Sequence, residues 1–281
     1  MIIPAYNEEN GISEVLDELL SLNFGEDVEI IVVNDGSNDN TAGVLKEYAD
    51  KVKIIEHEFN MGYGVSLKTG IKAAENDIVV ITDADRTYPN DQIENLVKEM
   101  DKYDMVVGAR TGENVHQSYL RKLPKWFLHK LANFLTARKI PDLNSGLRAM
   151  KKEIVESFYH ILPDGFSFTT TITLAMLTTG LRVKYTPIDY HKREGKSKIH
   201  PIKDTLLFIR LVITTVLYFN PLKVFLPFSL TFIGISFGFL IYRLLTGQGF
   251  EVTAVIFFTL GIQLLAIGMI ADLIDKRFKS R

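Results

Sequence analysis

Two long apolar segments near the carboxyl terminus constrain the fold of this chain more than any other feature. Val224–Leu245 and Phe250–Ala271 are each about 22 residues long, and a helix needs about 20 apolar residues to cross a bilayer. Their only charged residues are Arg243 and Glu251. Soluble helices of this length rarely lack a polar face, so the sequence predicts a transmembrane hairpin. The alternative is a helical hairpin buried inside a soluble protein.

Basic residues lie on both sides of the apolar pair, whereas the loop between the two segments has none. The positive-inside rule therefore predicts that both flanks face the cytoplasm. A shorter apolar stretch, Thr205–Phe219, carries Arg210 and is too short to span, which favours a helix lying at the membrane interface. The expected division is a cytoplasmic domain over 1–200, an interfacial helix over 201–221, and the hairpin with a basic tail over 222–281.

The composition excludes several classes of function. The chain has no cysteine, and therefore no disulfide, thiol nucleophile or cysteine metal ligand. Its net charge of −2 produces no field that would attract a nucleic acid, so no nucleic-acid partner is expected. Proline, asparagine and glutamate within the first nine residues argue against a cleavable signal peptide, which also places the first part of the chain in the cytoplasm.

The first half of the chain alternates short apolar runs with amphipathic stretches. Val28–Val33 and Ile78–Thr82 are continuous β-rich runs, while Gly11–Leu22 and Gly64–Ala74 have helical spacing. Strands that are apolar along their whole length belong to parallel sheets covered on both faces. The sequence thus predicts a doubly wound α/β domain with a mainly parallel sheet, which binds ligands outside the carboxyl ends of its strands.

An acidic pair, Asp83 and Asp85, flanks Ala84 directly after the predicted strand Ile78–Thr82. Two carboxylates one residue apart at a strand end can hold a divalent cation. Hard oxygen ligands suit Mg²⁺ or Mn²⁺, which keep water ligands and bridge to substrate phosphates. The alternative is an acidic turn that caps the following helix.

Asp35 ends another predicted strand, and Gly36 follows it. An aspartate there can accept hydrogen bonds from a nucleotide base or ribose, and the glycine lets a ligand approach the backbone. The alternative is a simple turn in which Ser37 or Asp39 caps the next helix.

Two further motifs follow strands. In Pro4–Glu9, Tyr6 can stack on a base, although the two glutamates also suit the first turn of a helix. In Asn60–Gly64, two glycines permit a tight turn. All four motifs thus lie at the carboxyl ends of predicted strands, where a nucleotide would bind.

The order and spacing of these motifs resemble family 2 glycosyltransferases with the GT-A fold. The matching pieces are IIPAYNEE, VVNDGSND, NMGYGVSLKTG and DADRTYP, and the resemblance covers about residues 1–200. It implies that Asp35 contacts the nucleotide base, and that Asp83 and Asp85 bind the metal and the donor diphosphate. The implied donor-binding residues are Pro4, Tyr6, Glu8, Asp35, Asn60, Gly62, Lys68, Asp83, Ala84 and Asp85.

Further pieces resemble the polyprenol-phosphate sugar transferases, such as the dolichyl-phosphate mannose and glucose synthases. They are GAR at 108–110, DLNSGLR at 142–148 and REGKSK at 193–198. The resemblance implies that the lipid phosphate binds to Arg110, Arg121, Arg193, Lys196 and Ser197. It implies catalytic roles for Asp142, Asp85 and Arg193.

Several alternatives remain open at this stage. Asp142 could orient the acceptor, contact the sugar, act as a base, or be a turn residue. The basic loop around Arg193 could equally be a solvated patch on anionic lipid. Relatives often have Gln or Ser after the acidic triplet, whereas this chain has Arg86 and Thr87, which leaves a third metal ligand from that turn open.

The resemblance implies one in-line displacement with inversion, from a nucleotide-diphosphate sugar to a polyprenyl or dolichyl phosphate. Rival interpretations are a different lipid or glycan acceptor, or a non-catalytic nucleotide-sugar-binding scaffold, against which the intact acidic pair argues. Neither the sugar nor the nucleotide, UDP or GDP, follows from the motifs. Small residues at Gly234, Ser236 and Gly238 would permit close contact with a second copy of the hairpin.

Overall fold

The computed structural model divides the chain into two compact units, Met1–Val212 and Ile213–Arg281. It describes all residues except 23, 26–27, 112–129, 131, 135, 166, 191–212, 215–216, 219–220, 248, 250 and 280–281, and describes only the backbone of 275–279.

The first unit is built on a seven-stranded sheet in the order β3-β2-β1-β4-β6-β5-β7. The strands are β1 Ile2–Ala5, β2 Ile31–Asn34, β3 Lys53–Glu56, β4 Ile78–Ile81, β5 Met105–Ala109, β6 Arg148–Lys151 and β7 Val183–Pro187. The helices are α1 Ile12–Ser21, α2 Thr41–Lys46, α3 Tyr63–Ala73, α4 Ile93–Lys98, α5 Lys152–Ser157 and α6 Phe168–Thr178, and Asn90–Gln92 forms a 3₁₀ turn.

The predicted mainly parallel α/β sheet is confirmed. β1, β2, β3 and β4 run parallel, as do β5 and β7, while β6 is antiparallel to both of its neighbours. The sequence did not predict β6, because this strand is short and begins with an arginine. Its insertion between β4 and β5 brings the loop that precedes it to the carboxyl end of β4.

Pro4 lies in a central strand, where a missing N–H would normally cost a ladder hydrogen bond. Ile2 directs its carbonyl toward β4, where it accepts from the Thr82 N–H at 3.2 Å. Successive residues of a strand direct their backbone groups to opposite neighbours, so position 4 faces β4 as position 2 does. β1 pairs with β4 only through Ile2 and Ile81, so the proline lies where that pairing has already ended.

Apolar side chains on both faces of the sheet hold the helices. α1 buries Ile12, Val15, Leu16 and Leu19, which share one face at helical spacing. Burial of each contributes about 1.5–3 kcal/mol. On the opposite face α3 packs closely on β1 at Gly70, where an added Cβ would lie 2.5 Å from Cγ2 of Ile2.

The second unit contains two apolar helices, α7 Pro221–Thr246 and α8 Glu251–Lys279, which pack on each other in antiparallel orientation. The Ser229 hydroxyl donates to the Gly261 carbonyl at 2.8 Å, and the Ser236 hydroxyl donates to the Ala254 carbonyl at 2.7 Å. These bonds satisfy polar side chains within the helix contact. Arg243 pairs with Glu251 at 2.6 Å where the helices are joined.

Both helices are long and apolar enough to cross a membrane, and they expose most of their surface. In the most apolar 18-residue stretch of each helix, only 11% of α7 and 17% of α8 is buried. A hairpin inside a soluble core would be mostly buried, so this exposure favours the membrane interpretation. Most of the predicted interfacial helix, 201–221, falls outside the described residues.

Candidate active site

The loops that follow β1 and β2 are tied together at the carboxyl edge of the sheet. The Asn7 N–H donates to Ser37 Oγ at 3.0 Å, and its side-chain Oδ1 accepts from the Asn38 N–H at 2.8 Å. The Glu8 N–H donates to Thr41 Oγ1 at 2.9 Å. Tyr6 and Glu8, both predicted donor-binding residues, therefore lie on a braced loop beside the end of β2.

Asp35 is buried at the end of β2, and its carboxylate organises the next motif. Its oxygens accept from the backbone N–H groups of Met61 and Gly62 at 2.9 and 2.8 Å, and contact Nδ1 of His57 at 2.7 Å. Burial alone would raise the pKa of Asp35, but the bonds from His57 and the two N–H groups outweigh it and hold the pKa below its ordinary value. Asp35 thus holds the Asn60–Gly64 turn beside its own loop.

Lys68, another predicted donor-binding residue, lies in α3 and bonds the segment that precedes α6. Its ammonium donates to the Leu162 carbonyl at 2.6 Å and to Asp164 at 2.8 Å. The Gly64 N–H also donates to the Asp164 carbonyl, at 2.8 Å. These contacts dock α3 on the segment before α6. The donor-binding role of Lys68 stays a prediction.

The acidic pair lies in the turn after β4, with each carboxylate oriented by a hydroxyl. The Tyr63 hydroxyl donates to Oδ1 of Asp83 at 3.1 Å. The Thr87 N–H and hydroxyl donate to Oδ1 of Asp85 at 3.2 and 2.5 Å. Thr87 therefore orients the carboxylate of Asp85.

Helix α1 holds this turn at both ends. Arg86 adopts a positive φ of 58° and pairs with Glu14 at 2.5 Å. One helical turn further along, Glu18 accepts from the Asn90 amide at 2.8 Å, and Asn90 in turn accepts from the Thr82 hydroxyl at 2.9 Å. The acidic pair is therefore fixed between two attachments to one helix.

The donor set fits a hard divalent cation. Asp83 and Asp85 supply carboxylate oxygens, the ligands that Mg²⁺ and Mn²⁺ prefer. No cluster of three or more His, Cys, Asp or Glu side chains occurs in the described part of the chain. A cation held by Asp83 and Asp85 would take further ligands from substrate phosphates and water, as is usual for Mg²⁺.

Arg110, after β5, forms a bidentate pair with Asp142. Nε and Nη2 of Arg110 donate to the two carboxylate oxygens at 2.7 and 2.9 Å. The backbone N–H groups of Arg110 and Asn144 add one bond each, both at 3.1 Å. Burial alone would raise the pKa of Asp142, but Arg110 outweighs it and keeps the pKa below its ordinary value. Asp142 is therefore an ionised partner of Arg110.

An aromatic chain connects Arg110 with the acidic pair. The Arg110 guanidinium lies 5.1 Å from the ring centroid of Tyr190, and Tyr190 packs edge-on against Tyr88 at 5.3 Å. The Tyr88 hydroxyl accepts from the Gly146 N–H at 2.7 Å. Gly146 lies against Asp83, because an added Cβ would be 2.9 Å from its Oδ2. Asp83 and Arg110 are therefore joined by one continuous series of contacts.

Arg148 is fully buried and holds the loop that contains Gly146 in place. Its guanidinium donates to the Ser145 carbonyl, and at 3.0 Å to both the Thr169 carbonyl and the Thr173 hydroxyl of α6. Ser145 also donates to the Gly108 carbonyl, at 2.5 Å. The loop that carries Asp142 and Gly146 is thereby fastened to both α6 and β5.

Tyr63, Tyr88 and Arg148 were not predicted from the sequence to be site residues. All three stand inside the motifs that carried the resemblance, so their position was a usable signal. Four predicted lipid-phosphate ligands lie outside the described residues: Arg121, Arg193, Lys196 and Ser197.

Comparison with family models gives two matches. The model described as glycosyl transferase family 2 matches residues 1–158. The model described as the GtrB C-terminal hairpin matches residues 220–276. Together they cover β1 to β6 of the sheet and nearly all of the apolar helix pair.

Similar proteins include two transferases. An undecaprenyl-phosphate 4-deoxy-4-formamido-L-arabinose transferase from Edwardsiella ictaluri is 27% identical over 98% of this chain and 88% of its own length. A dolichyl-phosphate hexose transferase from Haloferax volcanii is 30% identical over 72% of this chain and 86% of its own length. The resemblance to polyprenol-phosphate sugar transferases is thereby confirmed.

Solved structures with the same fold include glucosyl-3-phosphoglycerate synthase from Mycobacterium tuberculosis. Its complex with UDP has a TM-score of 0.60 at 20% identity, covering 76% of this chain and 78% of that one. Its complex with Mn²⁺, UDP and glucosyl-3-phosphoglycerate has a TM-score of 0.56 at 24% identity, covering 77% of each chain. The likeness confirms the predicted GT-A fold.

Proposed function

This chain belongs to glycosyl transferase family 2, and we propose that it transfers a sugar from a nucleotide-diphosphate sugar to the phosphate of a polyprenyl phosphate. The observation that carries the proposal is the connection between the acidic pair and the Arg110–Asp142 pair through Gly146 and Tyr88. The two relatives named for undecaprenyl-phosphate and dolichyl-phosphate acceptors support the choice of acceptor.

The donor half comprises the loops after β1, β2, β3 and β4. In this proposal Asp35 and Tyr6 contact the nucleoside, while Asp83 and Asp85 hold Mg²⁺ or Mn²⁺. A cation bound there would offset the charge of the donor diphosphate and stabilise the departing nucleotide. Complexes of a fold relative with UDP and Mn²⁺ support this assignment of the donor and metal.

The acceptor half centres on Arg110. A guanidinium has five N–H donors, and two of these bond Asp142. The remaining three make no hydrogen bond within the described part of the chain. They can bind phosphate oxygens in the paired geometry that suits arginine. From the resemblance, Arg121, Arg193, Lys196 and Ser197 complete the lipid-phosphate site.

We infer that Asp142 is a positioning residue for Arg110. Its two oxygens accept four hydrogen bonds, which is about the full capacity of a carboxylate. A carboxylate so occupied, with a lowered pKa, is a poor base. The reaction does not require one, because a phosphate monoester is largely dianionic at pH 7.

In the proposed reaction an oxygen of the lipid phosphate attacks the anomeric carbon of the sugar. The bond from that carbon to the donor diphosphate breaks, and the nucleoside diphosphate leaves with the bonding electrons. One displacement of this kind inverts the configuration at the anomeric carbon. The apolar hairpin would hold the protein at the bilayer that contains the acceptor, with its catalytic unit on the cytoplasmic side.

Product identification tests the proposed function. The full chain in lipid vesicles is incubated with Mn²⁺, polyprenyl phosphate and, in turn, labelled UDP- and GDP-sugars. For one donor we expect label in a lipid whose mass equals polyprenyl phosphate plus one sugar. Polyprenol without phosphate is the matched control and should remain unlabelled. Label on another lipid or on a glycan, or release of unattached sugar alone, would contradict the proposal.

A further inference from the structure

We propose that the Tyr88 hydroxyl donates a hydrogen bond to a substrate phosphate oxygen at the junction between the donor and acceptor halves of the site. The inference rests on the proposed function and adds a residue to it. It gives Tyr88 a direct contact with substrate in addition to its packing role.

Tyr88 lies at the centre of the connected structure. It follows the acidic pair in the same turn, and only 4% of the residue is exposed. Its hydroxyl receives the Gly146 N–H at 2.7 Å, and its ring packs against Tyr190, which covers Arg110. Its Cε2 would lie 3.1 Å from a Cβ on Gly146, beside the Asp83 carboxylate. The hydroxyl is thus close to both halves of the site.

The hydroxyl proton has no acceptor in the described part of the chain. A phenolic hydroxyl carries one donor together with its acceptor capacity. The bond from Gly146 uses the oxygen as an acceptor and leaves the proton undonated. Buried donors are nearly always paired, so a buried hydroxyl with an unused proton indicates a partner that arrives with the ligand.

The charges around Tyr88 favour an anionic partner. Arg110 lies near Tyr88 through Tyr190, and Asp83 of the proposed metal site lies near it beside Gly146. A bound cation and Arg110 would both attract phosphate. Burial raises the pKa of the Tyr88 hydroxyl well above its ordinary value, with Arg110 opposing this and Asp83 adding to it. The hydroxyl therefore remains a donor throughout the physiological range. The phosphate oxygen could belong to the donor diphosphate or to the lipid phosphate.

Tyr88→Phe separates these two sources. We measure the Kd for the nucleoside diphosphate with Mn²⁺ by calorimetry, without lipid, and the KM for polyprenyl phosphate at saturating donor. We expect one of the two constants to rise by about 10- to 100-fold, the range for a hydrogen bond to a charged group. A rise in the Kd assigns the oxygen to the donor, and a rise in the KM assigns it to the lipid.

Tyr48→Phe is the matched control. Tyr48 is also buried, and its hydroxyl donates to Asp17 at 2.8 Å, away from the site. This variant should leave both constants unchanged. Tyr88→Phe with both constants equal to those of the wild type would overturn the inference.

Replacement of Tyr88 by 3-fluorotyrosine distinguishes two roles of the hydroxyl: donation to a substrate phosphate, and acceptance of the Gly146 N–H alone. Fluorination makes the hydroxyl a stronger donor and a weaker acceptor, and it retains the oxygen that Gly146 needs. Donation to phosphate predicts tighter binding of the affected substrate, whereas support of Gly146 alone predicts weaker binding and would overturn the inference. Failure of the proposed function is distinguishable, because the wild-type protein would then not label polyprenyl phosphate at all.

Discussion

Replacement of Asp85 by asparagine is expected to lower sugar transfer by about 10²- to 10³-fold, the range seen when one electrostatic contact to a developing charge is removed. The substitution removes a negative charge from the proposed metal site and keeps the shape of the side chain. The amide oxygen can still accept from the N–H and hydroxyl of Thr87, which now bond Asp85. The turn should therefore persist while Mn²⁺ affinity falls.

The measurement combines Mn²⁺ binding, followed by electron paramagnetic resonance, with the rate of transfer at several Mn²⁺ concentrations. Asp91→Asn is the matched control, because Asp91 is an exposed acid in the turn before α4. This control should bind Mn²⁺ and transfer sugar as the wild type does. Wild-type Mn²⁺ affinity in Asp85→Asn would rule out Asp85 as a ligand.

Gly146→Ala is expected to lower transfer by about 10²-fold, the effect of a displacement of about 1 Å near the reacting groups. The new Cβ would lie 2.9 and 3.1 Å from the two carboxylate oxygens of Asp83, and 3.1 Å from Cε2 of Tyr88. These distances are too short for ordinary contact. The Asp83 carboxylate, which Tyr63 holds by a hydrogen bond, must therefore leave its present position.

Gly165→Ala is the control for this substitution, since a Cβ at Gly165 meets no described atom within 4 Å apart from its chain neighbours. Transfer rate, Mn²⁺ affinity and melting temperature are compared for both variants. We expect Gly146→Ala to lose rate and metal affinity at a melting temperature close to that of the wild type, and Gly165→Ala to lose neither. Full activity of Gly146→Ala would show that the position of Asp83 is not critical.

Much of the fold follows from the sequence because local patterns coincide with the final packing. The apolar spacing of α1 predicts the face that it buries, and the continuous runs of β2 and β4 predict their central place in the sheet. β6 was missed for a physical reason. Its first residue, Arg148, is charged but fully buried, and its partners Thr169 and Thr173 are more than twenty residues away.

In the candidate site too, local sequence patterns predict some residues, whereas others depend on contacts between distant parts of the chain. The places of Asp83 and Arg110 just after two strands could be predicted from their motifs. The roles of Tyr63 and Tyr88 depend on contacts across the fold, with Asp83 and Gly146 respectively. No local pattern specifies such contacts. The four open interpretations of Asp142 likewise needed its hydrogen bonds with Arg110 before one could be favoured.

The most direct test of a shared site uses the ³¹P resonance of polyprenyl phosphate bound to the full chain in nanodiscs. The lipid monophosphate is resolved from the phosphates of UDP, and a nearby Mn²⁺ broadens it steeply with decreasing distance. With Mn²⁺ and UDP bound, the lipid resonance should broaden strongly in the wild type and remain sharp in Asp85→Asn. A sharp lipid resonance in the wild type, with both ligands shown to be bound, would mean that the cation and the acceptor phosphate occupy separate places.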